Sequence, residues 1–157
     1  MISIQVPTQG YLRKFLLARA GSADGRIVVS NTNTWGILLW KILSRRPYRI
    51  ANIKRQYDSQ VTFLLSEFFY SRSGFELTDD NIAIFNRYLK SQFEEALFDF
   101  LTINLTMPIN ERPTIDSLIL TYLEFYNISE NERSLDSLVK AYQRWRNARN
   151  YRLIRVL

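Results

Sequence analysis

Hydrophobic residues change period along this chain, and each change marks an element. Ile2, Ile4 and Val6 alternate with Ser3 and Gln5, the two-residue period of a strand with one buried face, and Pro7 is expected to stop it. Thr8 is then placed to cap a helix with the apolar face Tyr11, Leu12, Phe15 and Leu16, ended by Gly21. Residues 26–30 read as a second short strand or an extended link. The polar stretch 31–34 precedes a helix reaching Leu43, with Trp35, Leu38, Leu39, Ile42 and Leu43 at helical spacing. Pro47 closes that segment, because proline cannot continue the hydrogen-bond ladder.

Alternation returns at Val61, Phe63 and Leu65, predicting a strand with an aromatic extension Phe68, Phe69 and Tyr70 and a turn at 71–74. Thr78, Asp79, Asp80 and Asn81 form a strong helix start. Ile82, Phe85, Leu89, Phe93, Leu97 and Leu101 follow at three- or four-residue steps over about five turns, to a close at Met107 and Pro108. Pro113 and Thr114 open another helix, with Ile115, Leu118, Ile119, Tyr122, Leu123 and Tyr126 on its apolar face and Asn127 near its end. A polar link at 129–133 leads to Ser134, the N-cap of a final helix through about Arg149. Leu135, Leu138, Val139, Tyr142 and Trp145 lie along its inner edge, with Arg146 at the margin. The pattern predicts an α+β fold, predominantly α-helical, with about five helices and a small two- or three-stranded sheet. It reads as one domain, 1–157, made of an α+β body at 1–110 and a basic helix pair at 111–157.

With 157 residues, 46% hydrophobic and 14% aromatic, the chain has ample material for a buried core. The absence of both Cys and His removes disulfides, thiol chemistry, Cys/His zinc sites and Ser-His-Asp triads. No cofactor or metal is expected. The longest apolar run, 35–40, is far short of the ~20 residues of a membrane span, so a soluble, cytoplasmic protein with no membrane partner is expected.

Charge changes the picture most. The net charge is +6, and it is sharply sorted: residues 133–157 hold seven basic side chains against Asp136 alone, while 91–132 hold eight acids against Arg112. Such sorting points to a cationic surface for an anionic partner, nucleic acid above all. On the last helix Lys140, Arg144 and Asn147 share a face, with Gln143, Arg146 and Asn150 on an adjacent one. Arg149, Arg152 and Arg155 continue toward the phosphate backbone. Guanidinium and amide side chains interleaved in this way can grip phosphates and read base edges in a major groove wide enough for a helix. The competing reading docks this helix on the acidic segment, balancing charge internally.

A second basic group includes Arg13, Lys14, Arg26 and Lys41, and is densest at Arg45, Arg46 and Arg49, where it could track phosphates. Arg13 and Lys14 read as a solvated face. Glu95 and Asp99, one turn apart, and Asp79 with Asp80 are the carboxylates an Mg²⁺-dependent nuclease would need. Asp79 and Asp80 serve more simply as helix-start charges, and 21–25 lacks the ending of a phosphate-binding loop. Catalysis is therefore not expected. Trp35, Trp40, Phe63, Phe68, Phe69 and Phe75 would have to share a surface to form a base-stacking platform.

The residues Ile115, Asp116, Ser117 and Leu118, the loop at 126–130 and the run 137–146 (SLVKAYQRWR) resemble small phage and mobile-element proteins that carry a helix-turn-helix-like end. The resemblance implies a regulatory or replication-associated DNA-binding role. The expectation from the residues is a non-enzymatic protein whose anionic partner is duplex DNA, with homo-oligomers able to address paired half-sites. Composition and pattern nominate Lys140, Gln143, Arg144, Arg146, Asn147, Arg149, Arg152, Arg45 and Arg46 as contacts. The alternative is a small phage structural or assembly protein acting through protein–protein contacts.

Overall fold

Strands alternate with helices early in the chain and helices alone follow. The computed structural model describes residues 1–30, 34–43, 57–73, 77–107 and 113–154, with 73 and 150–154 as backbone. In order these are β1 (Ile2–Thr8), α1 (Gly10–Ala20), β2 (Arg26–Val28), α2 (Thr34–Ile42), β3 (Ser59–Leu65), α3 (Glu67–Ser73), α4 (Asp79–Thr106), α5 (Ile115–Phe125) and α6 (Leu135–Ile154). The fold is α+β and predominantly helical. The chain divides into two compact units, Met1–Phe93 and Glu94–Leu157, and the dividing position lies inside α4.

In the first unit β3 is central, antiparallel to β1 and parallel to β2. The alternation of the sequence becomes one buried face: Val6, Val61, Phe63 and Leu65 are wholly inaccessible and Ile4 nearly so. Register sets Ile4 and Ile27 on either side of Phe63, so one apolar row crosses the sheet. Tyr11, Leu12, Phe15 and Leu16 of α1 are buried, as their spacing predicts. Phe93 of α4 meets Tyr11 and Phe15 edge-on at 5.3 and 5.4 Å, and Phe85 meets Phe63 at 5.9 Å.

Three local expectations are corrected. Pro7 does not stop β1, which continues to Thr8 opposite Ser59. β1 is an edge strand, where the missing N–H of proline is tolerated. Thr8 does not cap α1. It is fully buried, and its hydroxyl donates to Asn86 Oδ1 at 2.6 Å, while Asn86 Nδ2 donates to the carbonyls of Pro7 and Ile82, each at 2.9 Å. Gln9 holds the N-cap position without a side-chain bond, and the carboxylate of Asp58 accepts the Gly10 N–H at 2.8 Å. Finally, Phe68, Phe69 and Tyr70 belong to helix α3 and do not extend β3. Ser66 turns the chain: its hydroxyl oxygen accepts the Phe69 N–H at 3.1 Å and its carbonyl accepts the Tyr70 N–H at 3.0 Å.

The start of α4 is as predicted. Thr78 Oγ1 accepts the Asn81 N–H at 3.2 Å, and Asp79 and Asp80 occupy the first turn, where carboxylates complement the helix dipole. The Asn81 side chain itself donates to the Ile42 carbonyl at 2.6 Å, satisfying an orphan acceptor at the end of α2. In the second unit α4 contributes Leu97, Phe98 and Leu101 to a core completed by α5 and α6.

Candidate nucleic-acid interface

The pair α5–α6 is built from strong local signals. Thr114 Oγ1 accepts the Ser117 N–H at 3.1 Å and starts α5. Leu118, Ile119, Tyr122 and Leu123 are buried along its inner stripe. Its end is a left-handed stop: Asn127 has φ 54°, its N–H reaches the Glu124 carbonyl at 2.9 Å, and the Ile128 N–H reaches the Leu123 carbonyl at 2.8 Å. Paired bonds of this kind satisfy the last carbonyls, and the buried Ile128 supplies the apolar contact that accompanies them. Ser129 and Glu132 then form a reciprocal box. The Glu132 carboxylate accepts the Ser129 N–H at 2.9 Å, and the Ser129 carbonyl accepts the Glu132 N–H at 3.0 Å. Ser134 caps α6 through the Ser137 N–H at 3.4 Å.

Helix α6 is amphipathic along its described side chains. Leu138 and Tyr142 are buried and Trp145 is half-buried. Phe98 of α4 lies 5.7 Å from the Tyr142 ring and 5.3 Å from the Trp145 ring, so both aromatics belong to the core of this unit. The nominated residues Lys140, Gln143, Arg144, Arg146, Asn147 and Arg149 are all exposed. Lys140, Gln143, Arg144 and Asn147 recur at three- or four-residue steps opposite Leu138 and Tyr142, forming one outer ridge. The helix continues through Ile154 and includes Arg152, whose side chain lies outside the described residues, as do Asn150 and all of Arg155, Arg45, Arg46 and Arg49.

Partnering separates the cations. Arg133, just before α6, is bound to Glu94 at 3.2 Å with both side chains largely covered, so the acidic stretch engages a basic residue of this end. Lys140 pairs with Asp136 at 2.7 Å, one turn back on the same helix. Arg144 donates Nε–H to the Lys140 carbonyl at 3.2 Å, which lays its side chain back along the helix. Arg149 stands apart: its guanidinium lies 5.3 Å over the Trp145 ring, on the inner side of the helix. Among the described residues, none of Arg144, Arg146 and Arg149 forms an ion pair.

An open cleft of about 430 Å³ beside Arg149 is lined by Glu95, Asp99, Trp145 and Ala148. The charge pattern alone missed both this placement of Arg149 and the pairing of Lys140. The four-residue spacing of Asp136 and Lys140 was the available signal for the second.

Elsewhere the nominated groups disperse. Arg13 is half-buried and donates to the Gln60 carbonyl at 3.1 Å, a structural use in place of the solvated face expected for it. The stacking platform is not assembled, since Phe63 and Phe69 are in the core; Phe69 packs on Trp40 at 5.3 Å, and Phe68 is exposed beneath the Arg72 guanidinium. Phe75 lies outside the described residues. Among the described residues, no three Asp or Glu side chains come together as metal ligands, and no helix is long and apolar enough to cross a membrane. Comparison with protein-family models, with curated proteins and with solved structures finds no match to this chain.

Proposed function

We propose that this is a non-enzymatic, cytoplasmic DNA-binding protein, regulatory or replication-associated and encoded by a phage or mobile element. In it the outer ridge of α6 meets duplex DNA and α5 supports it. One observation carries the reading: Gln143, Arg144, Arg146 and Asn147 are exposed together on a capped, core-anchored helix, and neither arginine has an acidic partner among the described residues. Guanidinium groups so placed neutralise phosphates or pair with guanine O6 and N7, and carboxamides can pair with adenine N6 and N7. The link at 126–134 is longer than the turn of ~3–4 residues in a compact helix-turn-helix.

Titrating a mixed-sequence duplex against the protein at several salt concentrations tests the proposal. Arg144→Ala should weaken binding and flatten the log–log salt slope by about 0.9, the loss of one phosphate contact. An unchanged slope removes Arg144 from the interface, and salt-independent behaviour of the unaltered protein rejects the reading.

A second reading, an assembly protein, draws on a different observation. In the second unit Phe125 is 77% exposed, and Ile103 and Met107 are about half exposed. Apolar side chains in that position can join copies. Sizing by light scattering separates the two: a large ring or filament indifferent to DNA favours assembly, and a monomer or dimer that binds duplex saturably favours regulation.

A further inference from the structure

The outer ridge of α6 holds one residue that a phosphate-binding surface should not have. Asp136 is the only acid of the helix, its side chain is 71% exposed, and its carboxylate lies 2.7 Å from the ammonium of Lys140. Resting on the DNA-binding reading above, we infer that Asp136 restrains indiscriminate binding by cancelling Lys140, so that contact with DNA falls on the following turns, 143–147. Asp136 is thus a specificity-determining residue and Lys140 a masked cation.

The argument does not depend on a strong bond. An exposed pair one helical turn apart stabilises the helix by only about 0.3–0.5 kcal/mol, so a phosphate could readily draw the ammonium away. What the pair fixes is net charge. Both groups sit well within one Debye length of any phosphate that Lys140 could reach, so attraction to one is offset by repulsion from the other, whichever partner the ammonium touches. The first turns of the ridge therefore contribute little counterion release, while Arg144 and Arg146 contribute fully. Binding that relies on phosphates alone is weakened, and the carboxamides of Gln143 and Asn147, which read base edges, carry a larger share of the total. A basic helix without the acid would hold any duplex more tightly and discriminate less.

A double-mutant cycle isolates the effect, using the full chain, Asp136→Asn, Lys140→Ala and the double variant. Each is titrated with a mixed-sequence duplex from 50 to 200 mM salt, and circular dichroism verifies the helix content. Asp136→Asn should steepen the salt slope by about 0.9, with the affinity gain at the low-salt end about threefold larger than at the high-salt end. Lys140→Ala should lower the slope by about 0.9 in either background, and the double variant should match the unaltered protein, because the offset is one of net charge. In selection from a randomised duplex pool, Asp136→Asn should reduce the sequence bias of the bound fraction.

A salt slope left unchanged by Asp136→Asn would overturn the inference, since the acid would then oppose no phosphate contact. An unaltered sequence bias in Asp136→Asn would also overturn it. Absence of salt-dependent binding by all four proteins would instead reject the DNA-binding reading, and the inference with it.

Discussion

The two units employ the same kinds of polar side chain in opposite ways. In Met1–Phe93, polar groups are tied into the fold: Asn86 and Thr8 join β1 to α4, Asn81 closes α2, Asp58 caps α1, and Arg13 holds the Gln60 carbonyl. In Glu94–Leu157, Arg133 and the capping residues are used in that way, but the side chains of Gln143, Arg146 and Asn147 are exposed with no hydrogen bond or ion pair among the described residues. Burial decides the difference. A polar group inside must be hydrogen-bonded or cost about 1–3 kcal/mol, whereas the outer ridge of a helix is satisfied by water and can exchange that water for a ligand. Residue type alone therefore does not mark a binding surface; exposed donors on a rigid, well-anchored element do.

The largest test of this contrast is in the core of each unit. Phe63→Ala should lower the stability of the first unit by about 3–5 kcal/mol, and Leu138→Ala should cost about 2–5 kcal/mol in the second, both read by chemical denaturation. If α6 is the DNA-binding element, Leu138→Ala should also weaken duplex binding at temperatures where its helix frays. Next in size is Asn86→Ala, which leaves the buried Thr8 hydroxyl and the Pro7 carbonyl without this partner and should cost about 1–3 kcal/mol. By contrast Asn147→Ala should change stability by less than about 0.5 kcal/mol. A stability loss for Asn147→Ala as large as that for Asn86→Ala would erase the distinction between the units.

Smaller effects sharpen the picture at turns. Asn127→Ala places a Cβ-restricted residue at φ 54° and should cost about 1 kcal/mol, while Asn127→Gly should be close to neutral. Asp24 titrates below its usual range, because the Arg26 backbone N–H and then the Ser22 hydroxyl donate to its carboxylate. A depressed native pKa means that the turn is held above the ordinary carboxylate pKa and loosens as pH falls through the native value. Amide exchange at Arg26 should accelerate there relative to its intrinsic rate, and Asp24→Asn should abolish that acid-dependent component.

Legibility followed the range of the interactions. Strand β3, the long helix α4 and the inner stripes of α5 and α6 were readable because a period of two or of 3.6 is imposed on neighbours in the chain. The caps Thr78, Thr114 and Ser134 were readable for the same reason. The missed cap at Ser66 was local too, but the aromatic run after it favoured strand over helix. Thr8 was misassigned because its partner, Asn86, is distant in sequence and no local rule anticipates it. At the candidate interface, charge sorting located the basic helix but could not tell inner from outer arginines. Arg149 carries the same charge as Arg144, yet its ring partner Trp145 is set by the packing of Phe98.

Periodicity and residue counts were enough to set the class of fold, the position of every described helix but α3, and the sorting of charge toward residues 133–157. Which polar groups are committed to the fold and which remain available was settled by long-range packing. That depends on which surfaces are covered, and covering is done by residues far apart along the chain.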